Sequence, residues 1–251
     1  MREKALFFRY ALGAWEMLSD LRLPVAVSGV VGGRALPFFP LWGALAGALC
    51  ALIGILAALL TNRIAGAVVF AVVGSVFLLA KDSLRGVNAL RSFALGRWYR
   101  GGFSEALKVV SCGGSEEQTE TLVGAALALI EFTLLLLMGL YWSAWYLPFV
   151  FAGGFTVQGA LAAEFGIVAD PERVNVKTMW IVFGVIGVIS FIFFPLATVI
   201  GAVAVYALAV PAVKFLRANA DAPGADIVTL WGALAELALL LSGFFWTIRI
   251  G

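Results

Sequence analysis

The sequence predicts an all-α protein, a polytopic transmembrane helical bundle of about seven spans with its N-terminus and long loops cytoplasmic. Three observations lead there. Of the 251 residues, 63% are hydrophobic and only 13% charged, and the mean hydropathy is +1.02. Such a composition belongs to membrane chains. Apolar runs recur at the length a bilayer demands, about 20 residues. The bases are confined to alternate connections between those runs.

Residues 1–37 read as an interfacial segment. Arg9 and Glu16 interrupt "ALFFRYALGAWEML", and no small-residue cleavage site follows cleanly, which argues against a signal peptide. Its Phe, Tyr and Trp suit the headgroup region. The first span is Phe38–Leu60 and the second Ile64–Ala80, joined by the tight turn Thr61-Asn62-Arg63. Leu122–Leu140 and Trp145–Ala163 are the third and fourth. Met179–Val213 is too long for one span, and Pro195 divides it into a fifth and a sixth. Ile227–Trp246 is the seventh. All of this is one integral membrane domain.

Connections after spans one, three and five are short. Those after two, four and six, together with the N-terminal segment, hold fifteen of the seventeen Lys and Arg; only Arg63 and Arg249 fall on the other side. By the positive-inside rule the basic side is cytoplasmic, and a bacterial inner membrane is the expected location. Gly43 and Gly47 form a G-x-x-x-G, and Gly184 with Gly187 lies in the fifth span. Small residues so spaced let helices approach closely, within one bundle or in a homodimer.

The chain has no histidine and two cysteines, Cys50 and Cys112. That removes His-ligated zinc, Ser-His and Cys-His nucleophile pairs and a disulfide framework. Chemistry here would use carboxylates, amides, hydroxyls, bases or a hard metal. No nucleic-acid partner is expected; the lipid bilayer is.

The largest polar element is the cytoplasmic loop 81–121. Leu84, Val87, Leu90 and Ala94 form an apolar stripe in its first part, with Lys81, Asp82 and Arg85 away from it. This is either a helix on the membrane surface or an anion site, with Arg85, Arg91, Arg97 and Arg100 gripping phosphates. In "CGGSEEQTE", Ser115 and Gln118 fit a capping box for the third span, and the acids there are the alternative metal ligands. With Lys81 assigned to the loop, no span contains a base to pair with the intramembrane Glu131 and Glu236. Each is therefore expected to face the bundle interior, as a functional carboxylate or a hydrogen-bonded helix contact. A transporter built on those two glutamates is a third-ranked reading; few polar residues and no clear inverted repeat support it. Asp226 follows a Pro-Gly turn and suits the cap of the seventh span. Should spans two, four, six and seven be neighbours, Asp82, Glu164 and Asp226 would converge on an oxygen-rich Mg²⁺ site.

Two segments carry a family resemblance. "SDLRLPVAV" (Ser19–Val27) followed by "RALPFFPLWGALAGAL" (Arg34–Leu49) resembles the opening of the cobalamin synthases, the adenosylcobinamide-GDP ribazoletransferases. "PGADIVTLWGALAEL" (Pro223–Leu237) is similar to that family's T-G-D-x-x-G-A-x-x-E-L segment, with a few extra residues between Asp226 and Gly232. The resemblance implies a multi-pass inner-membrane enzyme that joins α-ribazole, or its phosphate, to GDP-activated cobinamide, using Mg²⁺ and releasing GMP. It implies Asp82 and Asp226 as catalytic and metal-site residues, with Glu164 a further metal ligand. Arg85, Asn88, Arg91 and Glu236 would bind the substrates, a corrinoid and a nucleoside.

The middle of the chain departs from the family. Where the family has D-G-x-A-D-x-x-D, this chain reads Asp82-Ser83-Leu84-Arg85-Gly86-Val87-Asn88-Ala89, keeping the first aspartate. "VVSCGGS" (Val109–Ser115) stands near the place of the family's K-D-S-R-I-G, without its acid and arginine. This departure implies the second reading. There the chain is a catalytically degenerate paralogue, serving as a structural or assembly subunit or a binding module of a membrane complex, with other subunits or a second copy as partners.

Overall fold

The computed structural model describes residues 9–14, 32–81, 89, 92–93, 106, 110, 117–141, 143–168, 173–219 and 225–250. Within them the regular structure is helical: α1 (Phe38–Leu60), α2 (Arg63–Lys81), α3 (Glu117–Leu140), α4 (Leu147–Glu164), α5 (Arg173–Phe193), α6 (Pro195–Ala209), α7 (Pro211–Asn219) and α8 (Ala225–Ile250). Short 3₁₀ turns, Gly33–Ala35 and Ala144–Tyr146, precede α1 and α4. Six helical stretches are long and apolar enough to cross a membrane, and α3 adds the shorter apolar stretch Ala125–Leu140. The chain is a polytopic helical bundle, as its composition predicts.

The boundaries have local causes. Asn62 Oδ1 accepts the Ala65 N–H at 2.9 Å and so caps the first turn of α2. Arg63, the next residue, donates to the Leu140 carbonyl at the end of α3, where the last carbonyls have no helical partner. One residue, Phe194, separates α5 from α6, and Pro195 opens α6, where its missing N–H costs nothing. Ser190 and Thr198 hydroxyls, 3.0 Å apart, tie the two sides of that turn. Pro211 divides the expected sixth span again, into α6 and the short α7. α3 begins at Glu117, five residues before the expected Leu122, because a polar first turn extends a helix into the headgroup region without penalty.

α4 is the centre of the bundle. It packs most extensively on α1, then on α8, and also on α5 and α6. It is the most buried of the six spans and the least hydropathic. Both follow from its residues: Gly153, Gly154, Gly159 and four alanines let neighbours in on every side. α1 runs antiparallel to it, Gly43 against Phe151 and Gly47 against Leu147; a Cβ on Gly43 would stand 2.5 Å from the Phe151 carbonyl carbon. The G-x-x-x-G is thus a seam inside the chain, not between copies. α2 lies against α1 and α3, and α6 against α8.

Near the short-turn end, Tyr146 Oη donates to the Ala197 carbonyl (2.9 Å) and lies 2.8 Å from Ser242 Oγ, joining the turn before α4 to α6 and α8. At the other end, Trp42 Nε1 donates to the Ala11 carbonyl (2.6 Å), and Arg34 to Tyr10 Oη (3.2 Å). The helical residues 9–14 are thereby held against the start of α1. Outward faces of α1, α2 and α5 expose Leu45, Leu49, Val76, Ile181, Val188 and Ile192, which is the surface a lipid phase covers.

Candidate functional site

The polar centre of the bundle is built on three helices. Glu236 sits about eleven residues into α8, roughly 16 Å along the helix from Ala225 at a rise of 1.5 Å per residue. Its carboxylate overlies Gly154 of α4, and Gln158, one turn along α4, overlies Gly232 of α8. The two helices are antiparallel, so each offers a glycine where the other carries a long polar side chain. A Cβ on either glycine would collide with that side chain.

Lys81, the last residue of α2, completes the centre. Its ammonium donates to Glu236 Oε1 in a buried ion pair. The same nitrogen lies 4.9 Å from the centroid of the Phe155 ring, close enough for a cation–π contact. Lys81 is 1% exposed and Glu236 3%. This corrects the expectation that Lys81 belongs to the loop and that no span holds a base for Glu236. The signal was present in the sequence. Ala67, Phe70, Gly74 and Leu78 form the buried face of α2, and Lys81 continues that face at helical spacing.

Glu131 of α3 is also buried, and Lys81 is the base that interacts with it electrostatically. Lys81 therefore acts on two buried acids, on Glu236 through a direct ion pair and on Glu131 through its charge. The Gln158 side-chain nitrogen is buried without a hydrogen-bond partner among the described residues. An ion pair so placed fixes geometry more than it adds stability, because desolvating both charges offsets much of their attraction.

The other expected site residues fall in different places. Glu164, the last residue of α4, is exposed and ion-paired with Arg217 of α7. Asp226 is exposed and lies inside the first turn of α8, one residue beyond its start, so it favours the positive helix end rather than serving as the N-cap. Asp82, Arg85, Asn88 and Arg91 lie outside the described residues, as do Ser115 and the acids Glu116, Asp170, Glu172 and Asp221. Among the described residues no group of three or more His, Cys, Asp or Glu could hold a metal ion. Glu164 and Glu236 each already face a base. The described carboxylates thus do not fit a Mg²⁺ site, and no step through the metal follows from them.

What the arrangement does is mechanical and electrostatic. It pins the end of α2 to the middle of α8 and α4, and it holds charge inside an apolar bundle. No family model, curated protein or solved structure matches the chain.

Proposed function

We propose that this chain is a membrane protein of cobalamin-synthase type, joining α-ribazole to GDP-activated cobinamide with release of GMP at the cytoplasmic face of a bacterial inner membrane. The observation that supports this reading is the Lys81–Glu236 pair. Lys81 immediately precedes the segment in which Asp82 stands at the family's first aspartate. Glu236 and Asp226 share the helix that resembles the family's other motif. The pair holds Lys81, the residue before the first of these stretches, against the helix that carries the second. In that reaction the nucleoside hydroxyl oxygen attacks the cobinamide-bound phosphorus, and the bond from that phosphorus to the GMP oxygen breaks. The hydroxyl proton passes to a carboxylate, for which Asp82 and Asp226 are the candidates. Arg85 and Arg91 would bind the pyrophosphate oxygens and Asn88 would donate to them.

The test is GMP release from GDP-cobinamide, with α-ribazole and Mg²⁺, by the purified protein in lipid. Product above background, lost in Asp82→Asn and Asp226→Asn, is expected. Folded protein that releases no GMP leaves the second reading, a non-enzymatic subunit or binding module. One observation favours that reading specifically: Glu164 and Glu236 are each neutralised by a base of the same chain. Copurification with stoichiometric partners would then be the result to look for.

A further inference from the structure

Glycines in the spans are nearly all used for packing within the chain. A Cβ on Gly43, Gly47, Gly54 or Gly66 would strike a neighbouring helix. Gly184 of α5 stands apart, for a Cβ there would meet nothing within 4 Å, and one on Gly187 would make only an ordinary 3.4 Å contact with Phe149. These two glycines floor an open groove of about 290 Å³ between α5 and α6, lined by Phe149, Phe183, Gly184, Gly187, Phe191 and Thr198. α5 is the least buried of the six spans, so the groove opens toward lipid. Its size reaches the lower end of small-molecule sites, and its walls are almost wholly apolar.

The same face of α5 is charged at one end. Arg173, Lys177, Trp180, Gly184, Gly187 and Phe191 follow one another at spacings of three and four, which is a single helical face. Arg173 and Lys177 are exposed, and among the described residues neither has a hydrogen bond or ion pair. Lys177 stands about 10 Å along the axis from Gly184, within reach of a headgroup whose chain enters the groove. Trp180, between them, packs edge-on against Phe183 with centroids 6.2 Å apart, an aromatic at the level where bilayers favour one.

We propose that this face binds one anionic phospholipid, with an acyl chain in the α5–α6 groove and the phosphate at Arg173 and Lys177. Two bases at the mouth of an apolar channel match that amphiphile at both ends. A second copy docked symmetrically through α5 would instead bring these bases against their own kind.

Native mass spectrometry of delipidated protein, given phosphatidylglycerol or phosphatidylcholine with identical chains, tests this. The expected preference for phosphatidylglycerol is about thirtyfold, from two bases near one headgroup. Arg173→Gln with Lys177→Gln should equalise the two lipids. Gly184→Leu fills open space, so it should fold normally by thermal melting yet lose retention of both. Equal retention of the two lipids by the unmodified protein overturns the proposal, as does undiminished phosphatidylglycerol retention in Gly184→Leu. Disulfide-linked dimers of Gly184→Cys in bilayers would put a second copy in the groove and overturn it as well.

Discussion

At the scale of single residues, Lys81 has the largest consequences. Its ammonium lies inside the bundle with Glu236 accepting from it and Phe155 facing it. Breaking a buried ion pair by removing one member costs about 3–5 kcal/mol in soluble precedents. Lys81→Met should therefore lower stability by an amount of that order, measured by thermal unfolding in detergent. Lys81→Met combined with Glu236→Leu should recover most of it, since an apolar pair of similar volume removes the desolvation cost from both sides. A double variant as unstable as the sum of the two singles would show that the residues do not act as a pair. Arg217→Gln is the contrast: its pair with Glu164 is exposed, and such pairs contribute at most about 1 kcal/mol, so its melting temperature should barely move. The difference between these two pairs was only partly legible beforehand. Glu236 is conspicuous in an apolar run, but the terminal position of Lys81 disguises it as a loop residue. Only its register with Leu78 and Gly74 gives it away.

At the scale of helices, apolar runs and breakers carry most of the information. Phe38–Leu60 emerges with the expected ends because Pro37 precedes it and a polar turn follows. Pro195 splits a run of apolar residues at the expected place, for a proline cannot donate to the preceding turn. Pro211 does the same a few turns later, yet hydropathy is blind to it because the run stays apolar through Val213. Which helix sits at the centre is not legible at all from hydropathy, which ranks α4 last among the spans. Small residues on all sides of α4 are the better guide, since close approach is what association in lipid depends on. The glycines make this testable. Gly43→Ala should destabilise by about 1–3 kcal/mol through overpacking against the Phe151 backbone. Gly184→Ala, facing open space, should be neutral or stabilise by up to about 1 kcal/mol through helix propensity. Thermal melting of the two variants side by side checks the ordering. Equal losses would mean that the α1–α4 seam does not depend on close approach at Gly43.

At the scale of the whole molecule, the alternating helices separate the charges into two ends. The α1–α2, α3–α4 and α5–α6 turns and the end of α8 lie together, and among the bases of the described residues only Arg63 and Arg249 belong there. Arg63 is further occupied in holding the last carbonyl of α3. Lys81, Arg173, Lys177, Lys214 and Arg217 belong to the opposite end, with Glu164 and Asp226. The positive-inside rule assigns that basic end to the cytoplasm. In a background of Cys50→Ala and Cys112→Ser, Thr61→Cys should react with a membrane-impermeant maleimide in intact cells. Lys214→Cys should react only after permeabilisation. The reverse pattern would invert the protein, and labelling of both in intact cells would mean two orientations. The outcome also bears on the proposed chemistry. Nucleotide substrates are cytoplasmic, so the proposed transferase, centred near Asp82 and Asp226, requires this end to face that side. A protein inserted the other way round would keep the same fold and the same ion pair, but its basic segments would meet no nucleotide, and the transferase reading would fall with the topology.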